Sequence, residues 1–139
     1  MAGARDCEDA PYFNNGVMVI DVNRWRRDDV LSQATALMRD YRFAYGEQDA
    51  MNVMFAGGWK ALHPRWNLQS GHFGNPVAAW VTNAVESIDD AIARPGIIHY
   101  NGLAKPWQPG CTHRCAPAWY DWLDRTPYRG WRPSSNPVC

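Results

Sequence analysis

Asn14-Asn15-Gly16-Val17-Met18-Val19-Ile20-Asp21 decides how the rest of the chain is read. A turn-prone Asn-Asn-Gly leads into consecutive apolar residues, and such a run predicts a strand over 17–20, buried on both faces at the centre of a sheet. Downstream, Val30, Leu31, Ala34, Leu37, Met38 and Tyr41 follow helical spacing, which predicts a helix over 29–41 with Asp28 or Asp29 as its cap. A second helix starts near Glu47, where acidic residues suit the amino end, and stops at Gly57-Gly58. Residues 59–66 read as extended and confined to an edge by Pro64, and 67–76 as a mobile loop. Val85, Ile88 and Ile92 mark a third helix, ended by Pro95-Gly96 before a short strand over 97–100 with His99 at its end. Gly102, Pro106, Pro109 and Gly110 impose a loop, and 117–123 reads as a last short helix before a tail, 129–139, expected to be flexible.

Alternation of strands and helices implies an α/β class, with 1–139 as a single domain. Only about two strands are legible against the roughly 5 to 6 of a typical sheet, so the chain reads as part of a domain whose remaining strands lie elsewhere. Lys plus Arg and Asp plus Glu both number 14, which leaves no net field to gather nucleic acid. Eight tryptophans in 139 residues are a surplus of flat, polar-edged rings, suited to cores and to the apolar faces of sugars. Without a run of about 18 apolar residues or an apolar signal core, the expectation is a cytoplasmic protein. Arg125, Tyr128, Arg129, Trp131 and Arg132 allow a weak peripheral contact with an anionic membrane. Cys111, His113 and Cys115 fall within five residues, and a zinc site completed by Cys7, His72 or Cys139 is one reading; incidental residues or a local disulfide is the other.

Three separated segments point further. Tyr12-Phe13-Asn14-Asn15-Gly16 with Trp25-Arg26 resembles the Tyr-Phe-Asn-x-Gly strand and trailing helix of glycosyltransferase family 8. Glu47-Gln48-Asp49-Ala50-Met51-Asn52, with Pro64-Arg65-Trp66-Asn67 after it, resembles that family's Asp-Gln-Asp-x-x-Asn and Pro-x-Trp-Asn, with Glu47 where the family commonly has Asp. His99-Tyr100-Asn101-Gly102-Leu103-Ala104-Lys105-Pro106-Trp107 is similar to the family's His-x-x-Gly-x-x-Lys-Pro-Trp loop. The likeness runs over residues 11–128 in the family's order.

That resemblance implies the C-terminal part of a nucleotide-diphospho-sugar transferase (GT-A type) fold, a mixed sheet flanked by helices. It implies a retaining transfer of a hexose from a UDP-sugar to a saccharide or glycolipid acceptor, with Mn2+ as cofactor. His99 would be the metal ligand, Gly102 and Lys105 would meet the donor diphosphate, Gln48 and Asp49 would be catalytic, and Asn14 and Glu47 would bind the sugar or acceptor. The residue types suit these tasks: imidazole nitrogen for a divalent ion, glycine for close backbone approach, a compact ammonium for a leaving diphosphate. No two aspartates are separated by a single intervening residue, so the family's Asp-x-Asp metal motif is missing. The chain is therefore expected to be inactive alone and to need an N-terminal partner chain. A noncatalytic carbohydrate-binding domain on the same fold is the alternative.

Overall fold

The computed structural model describes residues 11–73 and 88–134. The residues read as one domain divide into two compact units, 1–63 with 80–85, and 64–79 with 86–139.

In the first unit three helices pack in sequence: α1 Val22–Arg27, α2 Val30–Asp40 and α3 Glu47–Met54. The Asp21 carboxylate accepts from Arg24 N at 3.0 Å and caps α1, whose basic last turn suits the negative end of its dipole. α2 buries Val30 and Ala34, two of the positions its spacing selected. Its cap differs from the expected aspartate: Asp29 sits in the left-handed region at φ 47° without a side-chain cap bond, while Asp28 pairs with Arg24 and Arg27. α3 starts after Gly46 at φ 54° and seats Ala50 against α2 with no exposure.

The strand expected over 17–20 is not formed. No described residue pairs with it, and Val19 is 84% exposed. An apolar run supplies the propensity for a strand, but a ladder requires a partner backbone at hydrogen-bonding distance.

The second unit holds the sheet. A short 3-10 helix, Pro64–Asn67, leads into β1 Leu68–Gln69, and a second one follows over Ser70–Phe73. β1 pairs in parallel with β2 Ile98–His99, in the register Leu68 opposite Ile98 and Gln69 opposite His99. The segment expected as an extended edge and a mobile loop is thus an ordered turn-strand-turn; residues 74–76 of it lie outside the described residues. Leu68 is completely buried, and among the described residues the sheet is two-stranded and parallel. α4 Ile88–Ala93 packs on Pro64–Asn67; the Val85 of its expected face lies outside the described residues. Gly96 passes so close to Trp66 that a Cβ there would stand 2.7 Å from the indole, while Gly96 N and Ile97 N both donate to Arg65 O.

α5 Ala116–Leu123 carries Pro117 in its first turn, where a missing N–H costs nothing. Tyr120 Oη donates to Pro106 O, and Tyr100 Oη to Cys115 O, so part-buried backbone acceptors hold the loop on the helix. The described part of the tail, to Ser134, returns to α5: Gly130 N and Arg132 donate to the Asp124 carboxylate, and Trp131 meets Trp119 edge-on. Among the described residues no helix is long and apolar enough to cross a membrane.

Candidate functional site

The first unit joins two of the quoted segments into one polar cluster. Gln48, in the first turn of α3, accepts at Oε1 from Asn14 Nδ2 at 2.7 Å and Asn15 N at 3.3 Å, and donates from Nε2 to Tyr12 Oη at 3.0 Å. Asp49 accepts from Tyr12 Oη on one oxygen and from Tyr45 N on the other, the second bond closing the helix start much as a capping box does. Asn52, one turn on, pairs with both backbone groups of Phe13 at 2.8 Å. Asn14 Oδ1 also accepts from Gly16 N, so one side chain both shapes the turn and reaches α3. Burial, then the Asp49 carboxylate, pushes the Tyr12 hydroxyl up to about 12, which keeps it a donor. Glu47 is exposed in the same helical turn, and its carboxylate bonds to no other described residue.

The second unit arranges its motif differently. His99 Nδ1 lies 2.9 Å from Asn67 Oδ1, and an amide oxygen only accepts, so Nδ1 carries the proton and Nε2 keeps its lone pair. Burial and then the Lys105 charge lower the His99 pKa, which holds the ring neutral. Lys105 Nζ donates to Tyr100 O and stands 5.8 Å from the centre of the Trp107 ring. Between them Gly102 adopts φ +79° with nothing within 4 Å of where a Cβ would project. A left-handed residue in open space lets a ligand approach the backbone closely.

Two parts of the site escaped sequence reasoning. Tyr12 and Asn52 lay inside quoted motifs, yet nothing in local spacing shows that Tyr12 meets Gln48 and Asp49 or that Asn52 meets Phe13. Asn67 closes Pro-x-Trp-Asn, and its task becomes visible only through the β1–β2 register that sets it beside His99.

Among the described residues the geometry lends the Cys/His reading no support. His113 Nδ1 accepts from Cys115 N at 3.0 Å and Nε2 faces Ser70 Oγ at 3.0 Å, so both ring nitrogens are engaged. Cys111 and Cys115 are free thiols, and no group of three or more His, Cys, Asp or Glu converges among the described residues. Cys7 and Cys139 lie outside those residues.

The sequence profile of glycosyl transferase family 8 matches residues 3–111, and the chain belongs to that family. General stress protein A of Bacillus subtilis is 25% identical over 131 residues, which is 91% of this chain and 45% of that protein. A lipopolysaccharide 1,2-glucosyltransferase of Escherichia coli is 26% identical over 85% of this chain and 35% of its own length. Among solved structures, the galactosyltransferase LgtC in complex with donor and acceptor sugar analogues superposes with a TM-score of 0.67 at 26% identity, covering 86% of this chain and 44% of LgtC. The fold is therefore part of the GT-A type, and the chain spans less than half the length of each of these relatives.

Proposed function

We propose that this chain is the diphosphate- and sugar-handling part of a retaining glycosyltransferase that moves a hexose from a UDP-sugar to a saccharide or glycolipid acceptor. The observation that carries this reading is the loop 99–105, where a lone-pair imidazole nitrogen, an open left-handed glycine and an ammonium group follow one another. That LgtC was solved with donor and acceptor sugar analogues supports a sugar donor and a sugar acceptor here.

Lys105 would offset charge on the leaving diphosphate, and Gly102 would let its oxygens reach the backbone. His99 fits as one ligand of a divalent ion such as Mn2+, because Asn67 fixes the tautomer that leaves Nε2 able to coordinate. Such an ion, when bound, would neutralise diphosphate charge. With no group of three metal-ligating side chains among the described residues, turnover by this chain alone is expected to be low. Two donors occupy Gln48 Oε1, which favours retention by front-face attack over a covalent adduct on Gln48. The exposed Glu47 carboxylate is left to accept from acceptor hydroxyls.

Calorimetric titration with UDP, with and without Mn2+, tests the reading against a His99→Ala/Lys105→Ala double variant. Weak, metal-dependent binding that vanishes in the variant is expected. A folded wild-type chain that binds neither UDP nor Mn2+–UDP would sink it.

A further inference from the structure

The loop 99–105 is held from behind by a chain of hydrogen bonds whose directions can all be assigned. Cys115 N–H donates to His113 Nδ1, so Nδ1 is the acceptor nitrogen and the ring proton sits on Nε2. Nε2–H then donates to Ser70 Oγ, and the Ser70 hydroxyl spends its single proton on Asn101 O at 2.6 Å. Apart from His113, no described residue donates to Ser70 Oγ; the Ser70 backbone N–H holds Asn101 Oδ1 at 2.9 Å while Asn101 Nδ2 donates to Gln69 Oε1 at 2.8 Å. Gln69 and His113 are buried and Ser70 and Asn101 half-buried, so the network is partly shielded from water, which strengthens its bonds.

This arrangement excludes a Ser-His nucleophile: a base would need a lone pair on Nε2, and that nitrogen carries the proton. Its effect lies one peptide further on. In a planar trans peptide the C=O and the next N–H point in opposite directions. Drawing Asn101 O onto Ser70 turns the Gly102 N–H to the opposite side. The N–H groups of Gly102, Leu103 and Ala104 pair with no other described residue, and Leu103 is 95% exposed.

We infer that Ser70, oriented by His113, is a positioning residue that aims the Gly102 N–H at a diphosphate oxygen. The inference rests on the diphosphate reading of this loop. Ser70 touches no ligand; it acts by preorganising a backbone donor, so that no reorientation is required when the anion arrives.

The test is NMR titration of the 15N-labelled full chain with inorganic pyrophosphate and Mg2+, following the Gly102 amide. Ser70→Thr and Ser70→Val match each other in size and differ in the hydroxyl, and Ser70→Ala serves if valine prevents folding, as judged from spectral dispersion. In wild type and Ser70→Thr the Gly102 proton is expected to move downfield on saturation. In Ser70→Val that shift shrinks and pyrophosphate binds about tenfold more weakly, the lower end of the fold-change for one hydrogen bond to a charged group. Equal shift and affinity in the threonine and valine variants would overturn the role of Ser70 while leaving the diphosphate reading intact. A wild-type Gly102 amide that does not respond to pyrophosphate would overturn both.

Discussion

The two units handle their polar groups in opposite ways. In the first, the motif side chains satisfy one another: Gln48 uses both ends of its amide on Tyr12, Asn14 and Asn15, and both Asp49 oxygens are taken. In the second, auxiliary residues carry the structural bonds. Asn67 holds His99 and Ser70 holds Asn101, which leaves His99 Nε2, the Gly102 N–H and further Lys105 protons for a ligand. A closed cluster stabilises the fold and an open one presents donors, so substitutions in the two should report on different quantities.

The largest expected separation comes from Asn67→Ala. Losing the acceptor for His99 Nδ1–H frees the ring and its tautomer, and Mn2+-dependent UDP affinity should fall about 10- to 100-fold. Calorimetry showing unchanged affinity would remove the distinction between the units at its most specific point.

Tyr12→Phe should do the reverse. It strips a donor from Asp49 and an acceptor from Gln48, and should cost about 1–2 kcal/mol in urea unfolding with no change in UDP affinity. A matching loss of UDP affinity would show that the closed cluster is not merely structural.

The smallest effect is a pH dependence confined to the second unit. Burial lowers the pKa of His72, His99 and His113, and the Lys105 charge adds to this at the latter two. Depressed imidazole pKa values mean that the unfolded chain binds more protons. Their stabilising contribution is therefore complete above pH about 6.5 and is lost as pH falls through the lowered values. Hydrogen exchange at pH 7.5 and 5.5 should show protection falling around Leu68 and His99 and unchanged around Ala50, since the bonds described between Tyr12, Asn14, Gln48 and Asp49 involve no imidazole. Equal loss in both places would contradict it.

Helices α2 to α5 were legible because each carries a local signal, whereas α1 was suggested only by the family resemblance and the turns at Pro64–Asn67 and Ser70–Phe73 were read as extended edge and loop. The apolar positions that predicted 29–41 include the Val30 and Ala34 that α2 buries, and Pro95-Gly96 falls where α4 has ended. Of the strands only β2 was legible: the short strand expected over 97–100 forms as Ile98–His99. Residues 17–20 have a buried strand's composition but no partner among the described residues, whereas Leu68–Gln69, two residues between two short helical turns, has no period to read and pairs all the same.

The sequence by itself determined helices α2 to α5, strand β2, the His99-to-Lys105 loop and, through three motifs in order, the family. Only the tertiary structure decided which groups those motifs leave available. Asn67 meets His99 across 32 positions, Tyr12 meets Asp49 across 37 and Ser70 meets His113 across 43. A hydrogen bond is set by the distance and direction of two atoms, and packing alone brings atoms so far apart in the chain to that geometry.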